Sequence, residues 1–305
     1  MEEVSEKLKS RFCKDCGIPI KLFKEPYFSK RLTLLNDLYG SLGKWSNFKS
    51  ELERYEDDKA FLDASDKIMS QMVDCILASE GYQSFNSEDM NKFSIKTSYP
   101  KSNVYKETNI GRKFISIDFE KANFSVLKYY NNEIFRGTSS WEEFVGLFTD
   151  SKYFADSKYI RQVVFGKCNS KRLGTYEKYL IYGLVDNIKE AEVVDESCIV
   201  SVTNDEVVLD VTDCDNVDAN FEILKVIAEL YEIPTHIGMY TLKDLYKVGY
   251  LREFSDGSSD IKCVDVNFVP MVVRSLQGQA LREEDMIFMD RDVLCKYLEC
   301  PISLS

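Results

Sequence analysis

The sequence predicts an α+β fold: an antiparallel sheet with flanking helices, a helical N-terminal part before it and a small C-terminal extension after it. Three observations carry this expectation. Residues 1 to 100 follow helical periodicity, with Ile68, Met72, Cys75 and Ile76 on one face. KFISID at 113–118 and the two halves of CIVSVTNDEVVLDV at 198–211 read as short apolar strands. Helix-like segments fill 140–185 and a further helix, VDANFEILKVIAELYEI, occupies 217–233, an order that is not the strict alternation of a parallel sheet.

Each part has its own local signal. SEGYQSFNSEDMN, after the 60s helix, has the composition of a loop. Val207, Val208, Leu209 and Val211 form a nearly unbroken apolar run, which predicts a strand buried on both faces. From Pro234 onward the chain offers a hairpin around FSDGSSD, a strand-like IKCVDVNFVPMVV, and in GQALREED a turn or helix start with an acidic first turn.

Composition excludes several classes. With 44% apolar and 13% aromatic residues, the 305-residue chain is that of a packed globular protein. A formal charge of −12 argues against nucleic-acid binding by bulk attraction, so any such site must be a local basic surface. The same charge is compatible with a protein partner. No stretch approaches the roughly 18 apolar residues of a spanning helix, and MEEVSEKLKSR opens with charges; the expectation is a soluble, cytoplasmic protein with no membrane partner. Nine cysteines predict reduced thiols. CKDC at Cys13 and Cys16 suggests zinc, yet the other close pair is Cys295 and Cys300, and His236 is the only histidine, so thiols are the simpler reading.

The acids at strand ends are the candidate chemistry. Asp118 closes the first strand, while Asp205 and Glu206 sit at the hairpin junction. Two convergent carboxylates repel unless a cation lies between them, and magnesium takes one or two carboxylates plus substrate phosphates, with Mn²⁺ able to stand in. Between these acids lies SKYFADSKYIRQVVFGKCNSKR, rich in lysine and arginine against one acid, Asp156. On a helix, Lys158, Arg161 and Phe165 share a face, offering two cations and a ring to a nucleoside triphosphate. The same pattern also describes a solvated basic helix whose Phe165 faces the core. His236, next to Pro234, reads as a loop or core residue, and Glu206 as a solvated acid or a third ligand.

These segments resemble the palm and fingers motifs of family A DNA polymerases, over roughly residues 110 to 235. CIVSVTNDEVVLDV with its following helix is similar to the third palm motif, Asp205 and Glu206 matching the acidic pair and Thr203 or Asn204 standing in place of the histidine. KFISIDFEKANFSVLKYY is similar to the first palm motif, with Asp118 as its acid. RQVVFGK resembles the fingers motif, where Arg161 takes the place of the phosphate-binding lysine and Phe165 and Gly166 match directly. The order of the motifs also agrees. The chain departs from the pattern at Ser157, with Lys158 a stand-in for an arginine, at Asn169 for a tyrosine, and at Asn123 for the glutamate that excludes ribose.

The resemblance implies a thumb-like helical region at 1–105, a palm at 106–233 with reduced fingers at about 140–185, and an extension of unknown role at 234–305. It implies two Mg²⁺ ions held by Asp118, Asp205 and the backbone carbonyl of Phe119, with catalytic Asp118, Asp205 and Glu206. Lys158, Arg161, Phe165, Asn123 and Asn169 would bind the nucleotide, and the partners would be primer, template and dNTPs. Two other readings stand beside it. An RNase H-like two-metal nuclease would continue past Asp118 into a second strand, since Phe124, Val126 and Tyr130 partly alternate while Phe119, Ala122, Val126, Leu127 and Tyr130 fit a helical stripe. A non-catalytic assembly or regulatory protein would use Asp118 and Asp205 only to cap turns.

Overall fold

The computed structural model describes residues 4–101 and 104–303. Helices fill the first part: α1 (Glu6–Cys16), α2 (Tyr27–Leu34), α3 (Asn36–Tyr39), α4 (Ser41–Leu52), α5 (Asp58–Ala78) and α6 (Glu80–Ser87). Ser5, Asp57 and Ser79 cap α1, α5 and α6 by accepting a backbone N–H with their side chains. The α6 segment is where a loop was expected. Its polar residues lie on the outer face, while Tyr82 and Phe85, three apart behind the Ser79 cap, are buried. A buried network ties α1 to later helices: Arg11 Nε donates to both Asp15 oxygens at 3.0 Å, and Tyr153 and Ser157 donate to the same carboxylate.

The fold is α+β, and its sheet is antiparallel. The strands are β1 (Lys113–Phe119), β2 (Ile199–Val202), β3 (Glu206–Asp210), β4 (Thr235–Asp244), β5 (Tyr250–Phe254) and β6 (Ser259–Lys262), in the order β2-β3-β1-β4-β5-β6. Between β1 and β2 come α7 (Ala122–Tyr130), α8 (Trp141–Gly146), α9 (Lys152–Asp156), α10 (Lys158–Gly166) and α11 (Ser170–Glu190), and α12 (Val217–Leu230) separates β3 from β4. The expected division at 233 is therefore no boundary of the sheet, because half of its strands follow it. Distant strand pairing leaves no local trace in sequence.

The two faces of the sheet bury different things. Ile115, Ile117 and Phe119 of β1 and Val207 and Leu209 of β3 join the main core, which also contains α7, α11 and α12 and reaches Phe12 and Phe61 in the first helices. On the other face Phe114, Val208, Tyr240 and Leu242 form a small cluster under Val104. The two-sided burial expected of the 207–211 run is thus met, with Val207, Val208, Leu209 and Val211 all buried.

After the β5–β6 hairpin the chain forms α13 (Val269–Leu276), β7 (Ile287–Asp290) and β8 (Val293–Lys296), the last two pairing as a separate ribbon. VNFVPMVV was expected as strand. Pro270 instead sits in the first turn of α13, where its missing N–H costs nothing, and Val269, Met271, Val272 and Val273 are buried around the helix. A charge cluster bolts this end onto α2. Asp285, 1% exposed, receives Arg274 through two bonds of 2.9 and 3.2 Å and faces Arg31 at 3.7 Å. Arg31 Nη2 also donates to the carbonyls of Glu284 and Ile287 at 2.7 and 2.9 Å. Removing one member of a buried ion group strands the others. Asp285→Ala is therefore expected to lower stability by about 3–5 kcal/mol in denaturant unfolding, whereas Glu283→Ala, at an exposed position beside it, costs less than about 1 kcal/mol.

Candidate functional site

Strand register brings Asp118 up against the acidic hairpin of β2 and β3, opposite Glu206 rather than Asp205. Asp118 stands opposite Glu206 of β3 on one side and His236 of β4 on the other. One residue further, the Phe119 N–H donates to the carbonyl of Asp205 at 2.8 Å. The hairpin tip is a two-residue turn of Asn204 and Asp205, closed by Thr203 N–H to Glu206 carbonyl at 2.8 Å and by Glu206 N–H to Thr203 Oγ1 at 3.1 Å. Thr203 Oγ1 also donates to Asp205 Oδ1 at 3.2 Å, and the carboxylate otherwise points to solvent. Phe119 is buried and stacks on Tyr231, with centroids 6.0 Å apart and planes 6° off parallel, which anchors the strand end.

Asp118, Glu206 and His236 share the sheet face that α7, α11 and α12 do not cover, because cross-strand partners point the same way. Burial holds the Asp118 carboxyl above its usual range and Asp205 adds to this, against the opposing pull of His236, at 3.4 Å, and of Arg252. Glu206 is raised in the same way by burial, opposed first by Arg252. Arg252, on β5, pairs with Glu206 at 3.5 Å and Asp260 at 2.6 Å, and its guanidinium lies 5.2 Å from the rings of both Tyr240 and Phe254. Glu206 is therefore an ion-paired acid, not the solvated one expected, and His236 is an exposed strand residue rather than a loop or core residue.

A third carboxyl approaches from α11. Glu177 is 6% exposed and accepts a short hydrogen bond from Asn123 Nδ2 at the start of α7. Burial pushes it up to about 7, with Asp205 adding to the rise. One turn earlier, Gly174 lets α11 pass the hairpin tip: a Cβ there would lie 3.1 Å from Asn204 Nδ2 and 4.0 Å from Glu177 Oε2. The turn from β1 into α7 runs through Lys121, which adopts φ 48° and pairs with Glu142 at 2.6 Å. The chain after Phe119 is thus helical, and the second strand of an RNase H-like start is not formed.

The residues expected on the fingers helix are divided. Phe165 is 2% exposed and packs on Phe135 and Trp141, so its ring is not free to cover a base. Arg161 is half-buried and faces Glu142, the partner of Lys121. Lys158 lines a cavity with Asp15, Lys44 and Tyr153. Asn169 caps α11, accepting from the Arg172 N–H at 3.2 Å, and donates to Asn86 at 3.0 Å. Sequence reasoning passed over Glu177 and Arg252. A glutamate in an amphipathic helix carries no mark of burial, and only the β4–β5 pairing turns Arg252 toward Glu206.

Cys13 and Cys16 lie in α1 as free thiols, burial pushing both up to about 12, and Cys295 and Cys300 are also free. Among the described residues no three His, Cys, Asp or Glu side chains are arranged to hold a metal by themselves. Asp118 pairs across the strands with Glu206 and Phe119 with Asp205, so alternation sends the two aspartates toward opposite faces at the strand end. A magnesium ion would have to reach both around that end. No helix among the described residues is long and apolar enough to cross a membrane. Comparison with protein-family models, curated proteins and solved structures found no match.

Glu177 gives this site a stability signature. From its ordinary 4.5 to about 7 the folded protein keeps a proton that the unfolded chain releases, so stability falls as pH rises through that window. Glu177→Gln is expected to flatten that slope and, at pH 8, to be more stable than wild type by on the order of 1–3 kcal/mol in thermal or urea unfolding. Parallel pH profiles for the two proteins would refute the burial of this carboxyl.

Proposed function

We propose that the protein is a metal-dependent nucleotidyltransferase that extends the 3′ end of a primer, in DNA rather than RNA. The observation that carries this reading is the β1–β3 register, which sets Asp118 beside Glu206 and ties Phe119 to Asp205 at an uncovered end of the sheet. Asp118 and Asp205, with the Phe119 carbonyl, would hold Mg²⁺ or Mn²⁺. When bound, the metal supplies charge stabilisation for an in-line phosphoryl displacement. The chain's own groups have separate tasks. Arg252 keeps Glu206 from adding its full charge to the acid pair, and Glu177 fixes the side chain of Asn123 in the first turn of α7, just after the strand end. A helix directly after the strand-end acid favours this reading over the nuclease.

Primer extension with labelled dNTPs and Mg²⁺ or Mn²⁺ tests it. Wild type is expected to lengthen the primer and to stop on addition of EDTA. Asp118→Asn and Asp205→Asn are each expected to slow extension at least about a hundredfold, since the metal's charge stabilisation amounts to several kcal/mol and each 1.36 kcal/mol is a factor of ten. Shortening of the primer would replace this reading with a nuclease, and an inert wild type with a non-catalytic assembly protein.

A further inference from the structure

A second feature lies on the far side of the hairpin tip. Between α11 and the segment after α6 runs an open cleft of about 570 Å³. Phe93 and Ser94 stand on one wall, Lys171, Thr175 and Lys178 on the other, and Asn204 closes the end next to Asp205. Lys171, Thr175 and Lys178 recur at i, i+4 and i+7, one face of α11. The walls are braced from outside the cleft: Arg172 Nη1 donates to the carbonyls of Phe85 and Glu88 at 3.1 and 2.7 Å.

The electrostatics of this cleft run against those of the chain. The protein carries a formal charge of −12, yet no carboxylate lines the cleft. Among the described residues neither Lys171 nor Lys178 is in an ion pair, whereas nearby Lys92 pairs with Glu88 and Lys121 with Glu142. Two unneutralised cations in a concave surface attract an anion. Their spacing selects its shape. Seven residues of helix separate them by roughly 10 Å along the axis, about three phosphate steps of a stacked strand at 3.4 Å each. A single triphosphate is more compact than that. Phe93, whose ring contacts Tyr176 and Tyr179 at 4.8 and 5.2 Å, adds the aromatic surface on which single-strand sites stack bases.

We infer that this cleft holds the sugar-phosphate backbone of a single nucleic-acid strand, with one end of the strand delivered past Asn204 to Asp205. The role as substrate track rests on the nucleotidyltransferase reading; the binding does not. Lys171 and Lys178 neutralise phosphates about three steps apart, and Ser94 offers a hydroxyl on the facing wall, the Thr175 hydroxyl being spent on the Lys171 carbonyl at 3.0 Å.

The test is fluorescence anisotropy of a labelled oligo(dT) of about a dozen nucleotides, within the usual site sizes of single-strand binders, titrated in EDTA at several salt concentrations. Wild type is expected to bind. Lys171→Ala/Lys178→Ala is expected to weaken binding about tenfold or more at low salt and to flatten the slope of log K against log salt by about 1.4, or 0.7 per lost phosphate contact. Unchanged thermal unfolding shows that the variant folds. Asp118→Asn is expected to bind like wild type while failing to extend a primer. No binding by wild type, an unchanged slope in the double variant, or displacement of the oligonucleotide by an equal concentration of free dNTP would each overturn the inference. Lysine-dependent binding without extension leaves the cleft standing and removes the enzymatic reading. Extension that ignores the lysines does the reverse.

Discussion

The candidate site depends on one backbone hydrogen bond and the ladder it ends: the Phe119 N–H to the Asp205 carbonyl, at the close of the β1–β3 pairing. Side chains alternate along a strand, so a slip of one residue would turn Asp118 into the helix-packed core and Ile117 out of it. The core enforces the register from both sides, with Ile115, Ile117, Val207 and Leu209 buried on one face and Phe114 and Val208 on the other. β1 is central in the sheet and β4 repeats the constraint from its other edge. Asp118 and Glu206 are neighbours because the buried Ile117 and Val207 beside them have nowhere else to go.

A cluster of negative charge on a half-covered sheet needs opposing charge, and the far strands supply it. Arg252 is held by Glu206 and Asp260 and lies between the rings of Tyr240 and Phe254, while Lys262 bonds Asp260 at 2.8 Å. Gly238 leaves room for this packing, since a Cβ there would lie 2.8 Å from the ring of Phe254. The chain beyond residue 234 is therefore an electrostatic part of the site and not an appendage to it.

What was legible in the sequence is what local periodicity encodes. The strand at 113–118, the hairpin with Asn204 and Asp205 at its tip, the helix at 217–233 and the FSDGSSD turn all follow from spacing and turn chemistry. Illegible were features set by distant partners. Whether Phe165 meets a ligand or Trp141 is the same pattern in sequence, and the packing of α10 against α1 and α5 decides it. Glu177 reads as an ordinary helical glutamate until α11 is seen to pass the hairpin tip at Gly174. VNFVPMVV has strand composition, and only burial on all sides explains its helix.

The clamp of Arg31 and Arg274 on Asp285 has a consequence for how the molecule comes into being. Arg31 is made 254 residues before its carboxylate, an interval on the order of ten seconds or more at ordinary elongation rates. Until Asp285 is made, α2 has no counter-charge for a guanidinium that ends up buried, and until residue 244 is made, β1 has no β4 along one edge. The nascent chain thus first exposes an open strand edge next to an acidic hairpin, which β4 covers, and the clamp on α2 closes only later, when Asp285 is made.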